Sequence, residues 1–143
     1  MATTVYNRGL DEMTAFTTST YKVMLLKGTG YTVNRDHDWV SDLVPASNEV
    51  TVATYARQTL GGKSRTIDDT LDRITYDCTD PSFGAPNLAA GETVTALVLF
   101  RFVTVDGDSP LICYYPISSV ATSGIPFPIT FDSTGVLYVD QGA

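Results

Sequence analysis

Charge is scarce in this chain. Only 17% of its 143 residues are Asp, Glu, Lys or Arg. Cations are scarcer than anions, with nine Lys and Arg against sixteen Asp and Glu, for a formal net charge of -7. Nucleic-acid backbones are held largely by Lys and Arg that displace counterions. The acidic balance therefore argues against a nucleic-acid partner, and against an anionic membrane surface for the same reason. Histidine occurs once and cysteine twice, too few for a Cys/His zinc centre of about four ligands. No metal or other cofactor is expected. Cys78 and Cys113 fall in β-like runs and are expected as buried free thiols. No stretch approaches the roughly 20 apolar residues of a membrane-spanning helix. The longest apolar-leaning run, Val94 to Val105, is broken by Thr95, Arg101 and Thr104. Met1-Ala2-Thr3-Thr4 has neither the basic nor the apolar region of a secretory signal, so synthesis in a cytoplasm is expected. Repeats and low-complexity tracts are absent as well.

What is present is ample for one globular domain. Hydrophobic residues make up 43% of the chain, and a chain of this size can bury roughly two-thirds of its unfolded surface. Residues 1–143 are read as a single domain, with residues 1–10 a candidate N-terminal arm. The charge is uneven. Through Thr75 there are eight Lys and Arg against nine acids, whereas beyond it only Arg101 faces seven acids. Such a half can complement a basic partner or simply keep the protein dissolved.

Short apolar runs alternate with Gly, Pro, Asn and Asp. Tyr21 to Lys27 reads as a largely buried strand that stops at Gly28-Thr29-Gly30. Tyr55 to Leu60 and Lys63 to Ile67 flank Gly61-Gly62, which is a hairpin signal. Glu49 to Thr51 suits a short strand. Arg73 to Cys78 alternates, with Ile74, Tyr76 and Cys78 on one face. Residues 80–87 carry two prolines and a glycine and read as a loop. Thr93 to Val105 is expected as the longest strand, turning at Asp106-Gly107-Asp108 into Leu111 to Tyr115. Phe127 to Phe131 and Val136 to Val139 are expected to pair across Asp132-Ser133-Thr134-Gly135. Pro116, Pro126 and Pro128 suit edge strands or crossings between sheets. Val5 to Glu12 admits two readings, an arm with a helical turn or a first strand. The pattern predicts an all-β fold: a β-sandwich or jelly-roll-like barrel of about eight to ten short strands with one or two short helices.

Few residues suggest chemistry. Asp36-His37-Asp38 offers two carboxylates and an imidazole, but consecutive residues do not converge on one point, and no second histidine exists. A structural reading is simpler. Arg35 to Leu43 forms a short helix or helical turn, Asp36 caps it, Trp39 anchors it in the core, and Arg35 pairs with an acid. Gly61-Gly62-Lys63-Ser64 lacks the upstream glycine and following helix of a phosphate loop. Asp68, Asp69 and Asp72 lack the spacing of a calcium loop. No serine lies in a nucleophile-elbow context. Catalysis is not expected. Adjacent strand residues point to opposite faces, so one of Tyr114 and Tyr115 is expected outward, as ordinary surface, protein interface or glycan contact. Tyr6 and Arg8 belong to residue types enriched at interface centres, which makes the arm from Thr3 to Gly9 a candidate contact with a neighbour. Its alternative is the first strand of the domain's own sheet.

The run from Tyr21 to Leu60 carries a resemblance. It reads YKVMLL, then NRDHDWVSDL, then PASNE, then YARQTL, with Trp39 at an aromatic position and Tyr55 and Arg57 opening the last element. In order and spacing it resembles a family of small virion structural proteins of tailed bacteriophages, with looser likeness along most of the chain. The resemblance implies a non-enzymatic capsid decoration, or cement, protein at the capsid surface of the virion. Its partner would be the major capsid protein, and its own state a homo-oligomer, with a trimer favoured. The alternatives it leaves open are a neck or tail component and a host-receptor module that binds glycan.

Overall fold

The computed structural model describes residues 3–140. The fold is all-β. Among the described residues, ten strands form three antiparallel sheets, and the two α-helical pieces have four residues each. The central sheet has the order β1-β8-β7-β2-β3. It comprises β1 (Thr4–Val5), β8 (Leu111–Ala121), β7 (Thr93–Arg101), β2 (Tyr21–Lys27) and β3 (Gln58–Thr59). A three-stranded sheet runs β10-β5-β4, from Leu137–Asp140 through Arg73–Asp77 to Ser64–Asp68. A third pair joins β6 (Ser82–Leu88) to β9 (Ile125–Pro128).

Both faces of the central sheet are buried. This explains why β2 reads as an unbroken apolar run and not as an alternation. On one face Val23, Leu25, Leu97, Leu99 and Ile112 pack with Tyr76, Phe83 and Leu88 from the two smaller sheets. On the other, Met24, Leu26, Val98, Phe100 and Leu111 pack with Tyr6, Val40 and Leu43. The first face makes a sandwich. The second is roofed by the irregular segment that follows β2. Each such side chain, fully buried, contributes about 1.5–3 kcal/mol, so the roof is part of the core.

The β7–β8 hairpin forms as expected, with a 3-10 turn at Asp106–Asp108 between the strands. The longest strand is β8, not β7. Its register slips between Val94/Ala96, where residues 117–119 bulge after Pro116. Proline cannot donate to the ladder, and its place beside a bulge is consistent with that.

Several expectations are corrected. Gly61-Gly62 is not a hairpin turn. β3 pairs with β2 and β4 pairs with β5, so the glycines carry the chain from one sheet to another. Residues 82–88 form a strand and not a loop, paired to β9 through a register shift. β9 and β10 do not pair with each other. The turn at Asp132–Gly135 forms, but β10 joins β5. Tyr55 is not in a strand, and only Gln58–Thr59 pairs. In place of a strand at residues 49–51, Pro45–Asn48 is a one-turn helix, α2, followed by a single bridge from Glu49 to Leu26.

The N-terminal segment is not an arm, so far as the described residues reach; Met1 and Ala2 lie outside them. Thr4 and Val5 pair with Tyr114 and Cys113. The helical turn α1 (Gly9–Glu12) follows directly. Gly9 is buried, and a Cβ there would collide with the carbonyl oxygen of Ile112. The segment is the edge strand of its own sheet.

Candidate functional site

Of the short helix or helical turn expected over residues 35–43, the structure forms a 3-10 turn at Val40–Leu43. Asp36 does not cap it. Asp42 does, accepting the backbone N–H groups of Asp38 at 3.0 Å and Trp39 at 2.9 Å on one oxygen. Asp36 instead accepts the side-chain amide of Asn7 at 2.7 Å. The backbone N–H of Asn7 also bonds the Arg35 carbonyl at 3.0 Å. The segment thus ties down the N-terminus. The Arg35 side chain is exposed and belongs to none of the ion pairs among the described residues.

Trp39 is half-buried and not a core anchor. Its ring is covered by the Arg8 guanidinium, 4.4 Å from the centroid. Arg8 is held from the other side by Glu12 at 2.9 Å. Glu12 also pairs with Arg101 at 2.5 Å. His37 faces Tyr31, whose hydroxyl lies 3.1 Å from Nδ1 and 3.0 Å from the Tyr6 hydroxyl. Among the described residues, no group of three His, Cys, Asp or Glu side chains is arranged to hold a metal ion.

Tyr55 and Arg57 build a second network. Arg57 donates Nε–H and Nη2–H to the two oxygens of Glu49 at 2.8 and 2.7 Å. It donates Nη1–H and Nη2–H to Asp106 at 2.5 and 2.9 Å. Its plane lies over Phe100, 5.4 Å from the centroid. The Tyr55 hydroxyl donates to Glu49 at 2.7 Å and accepts the Leu25 N–H at 3.0 Å. Burial, with the Glu49 charge beside it, raises the Tyr55 pKa well above its ordinary value. The bonded Glu49 carboxylate outweighs burial and, with Asp106, raises that of Arg57. The network pins the chain after α2 to β2 and to the β7–β8 turn. The Tyr55 hydroxyl, the Arg57 guanidinium and the Glu49 and Asp106 carboxylates are all partnered within it.

Three of the four tyrosine and arginine candidates for an interface are internal. Tyr6 is 1% exposed and Tyr114 is 5% exposed, both in the second core. Tyr115 packs against the first core and donates its hydroxyl to the Val136 carbonyl at 2.6 Å. The two adjacent tyrosines do face opposite ways, and both faces of the sheet are largely covered there, so Tyr114 is buried and Tyr115 only partly exposed. Arg8 alone is substantially exposed, and it is engaged with Trp39 and Glu12.

The surface feature that motif reading missed lies in the last third of the chain. Between the end of β8 and β9 runs a groove of about 490 Å³ lined by Tyr115, Val120, Ile125, Phe127, Ile129 and Phe131, among others. None of its lining residues is charged. Val120 is 42% and Ile125 63% exposed. The signal was in the sequence as an absence: no charged residue occurs from Ser109 to Phe131. A second cleft, of about 690 Å³, is lined by Tyr31, Tyr114 and the hydroxyls of Thr29, Thr32, Ser118 and Ser119. Set against known protein families, curated proteins and solved structures, the chain matches none of them.

Proposed function

We propose that this chain is a non-enzymatic structural protein of a tailed-phage virion that decorates the capsid surface by binding the major capsid protein. The motif resemblance supports the setting. One structural observation carries the mode of action. Glu49 and Arg57 of the motif are locked into an internal ion pair, whereas several large apolar side chains stand at the surface. Ile67, Leu71, Val105, Val120 and Ile125 are all more than half or nearly half exposed. Exposed apolar side chains of this kind suit contact with a partner. Many copies, each adding a modest interface, would reinforce a shell collectively. The protein would be made in the host cytoplasm and join the head as a homo-oligomer.

The test is cosedimentation of the purified protein with expanded heads that lack it. The reading expects saturable binding at a fixed ratio to the major capsid protein. Absence of binding to heads, with binding to tails or necks, would favour the alternative location. One observation favours a host-receptor role: the hydroxyl-lined cleft flanked by Tyr31 and Tyr114 suits a neutral sugar. Retention of the domain on a neutral polysaccharide column, lost on filling the cleft with Ser118→Trp, would support that reading instead.

A further inference from the structure

We infer, building on the sugar-binding reading of the second cleft, that its occupant is a neutral pyranoside held by the hydroxyls of Ser118 and Ser119 over an apolar floor, and that acidic sugars are excluded. The cleft lies where β8 breaks its alternation. Before the break the strand deals its side chains to opposite faces, with Tyr114 and Pro116 in the cleft and Tyr115 in the uncharged groove. Ala96 pairs with Pro116 but Val94 with Val120, so Thr95 alone faces residues 117–119. A bulge of this kind re-aims side chains. Here three consecutive residues, Ile117, Ser118 and Ser119, all line the cleft. In a regular strand the two serines would point to opposite faces, and the bulge brings both hydroxyls to one wall.

The floor and the rim differ in chemistry. Tyr114 is buried, and Tyr31, Val33, Pro116 and Ile117 are half-buried, which gives the floor its apolar character. Tyr31 is held in place there. Its hydroxyl meets that of Tyr6 at 3.0 Å and His37 at 3.1 Å, and its ring lies 6.1 Å from that of Tyr114. The Thr95 hydroxyl is engaged as well, donating to the Gly28 carbonyl at 2.8 Å. The rim is the reverse. Thr29, Thr32, Ser118 and Ser119 are exposed, and among the described residues no group of the chain bonds their hydroxyls. A pyranose presents the same two chemistries, an apolar C–H face and hydroxyls around its margin. Small-ligand sites combine an apolar, aromatic lining with a few polar groups that fix orientation, and the cleft volume of about 690 Å³ lies in their range.

Charge sets the selectivity. No Lys, Arg or His lines the cleft, and the chain carries a formal net charge of -7. A uronate, sialate or phosphate entering it would leave water with no cation to meet it, against a field of its own sign. A neutral sugar faces neither cost, because serine and threonine hydroxyls both donate and accept. Tyr114 and Tyr115 place the cleft and the groove on opposite faces of β8. A partner seated in the groove therefore leaves the cleft open, and the site serves alike on a head or a tail.

The experiment applies the full chain and its double variant, Ser118→Ala with Ser119→Ala, to an array of neutral oligosaccharides and their sialylated, uronate and phosphorylated counterparts. Both serines are exposed, so thermal melts of variant and parent should match. The parent should bind neutral members of the array and leave the acidic ones unbound. The double variant should bind the same members about tenfold more weakly, the scale of two lost hydrogen bonds. A parent that prefers acidic sugars overturns the inference, as does a double variant that binds neutral sugars undiminished, and in both cases sugar binding itself stands. A parent that binds no member of the array overturns the inference and the sugar-binding reading together.

Discussion

Arg57 and Glu49 meet in a two-point fork, Nε to Oε1 at 2.8 Å and Nη2 to Oε2 at 2.7 Å, within a chain that has few ion pairs to spend. The same guanidinium reaches Asp106 across the β7–β8 turn. One planar cation therefore joins the segment after α2 to the central hairpin. Its removal would leave both carboxylates without a cation, and Glu49 is only 9% exposed.

Arg57→Ala should accordingly destabilise the fold by about 3 kcal/mol, the scale for breaking a largely buried pair by deleting one partner. Arg57→Lys should recover only part of that loss, because an ammonium cannot bridge both carboxylates in the plane of the fork. Urea denaturation of the two variants measures the difference. Equal stability of Arg57→Ala and the parent would remove the network from the account.

Trp39 is half-buried beneath Arg8. Trp39→Ala should cost about 1–2 kcal/mol, less than the 3–5 kcal/mol of a core aromatic. A double-mutant cycle with Arg8→Ala should give a coupling of about 0.5–1 kcal/mol, the range of an exposed cation–π pair. Additivity of the two changes would mean the contact has no energetic content.

Tyr6 fills the second core under its hydrogen bond to Tyr31. Tyr6→Ala should cost about 3–5 kcal/mol, and deletion of residues 2–9 should prevent folding. A truncated chain that folds with an undiminished melting temperature would show that the segment is dispensable after all.

Stability should fall at both ends of the pH scale. Burial opposes ionisation of Glu92, but its bonds to Lys27 and Thr51 outweigh that and hold its pKa below the ordinary value of 4.5. The folded state then binds fewer protons than the unfolded one, so this stability is present above pH 4.5 and is lost as pH falls through the folded value. Glu92→Gln should flatten the acid limb. Burial pushes Tyr21 up from 10.0 to about 12, Cys78 from 9.0 to about 12 and Cys113 from 9.0 to about 11. Their neutral forms are the ones the fold retains, so their contribution is complete below about pH 9 and is lost between about pH 9 and 12. Cys78→Ser and Cys113→Ala should each shift the alkaline midpoint, measured by circular dichroism.

The all-β class and the β7–β8 hairpin were legible because periodicity and turn residues are local signals. The partners of β4, β9 and β10 were not. Their pairing is set by which core face each strand covers, and a glycine pair such as Gly61-Gly62 looks alike in a hairpin and in a crossing between sheets. The segment at residues 35–43 was legible in part. Its spacing fits a helix, but Val44 adopts a left-handed backbone at φ 50° and the chain winds only the turn Val40–Leu43 before it. Tyr6, Tyr114 and Tyr115 read as interface residues because tyrosine suits both a surface and a core with a hydroxyl partner. The Tyr31 hydroxyl bonded to Tyr6, the Tyr31 ring against Tyr114 and the Val136 carbonyl bonded to Tyr115 are not visible in a linear pattern. The groove was legible only as a run without charge.

The measurement that bears most directly on the proposed role is a cryo-EM map of the virion that carries this chain. The account predicts density for this three-sheet domain repeated over the head lattice, in contact with major capsid subunits. Density for the domain confined to the neck or tail, or a head lattice without it, would contradict the account.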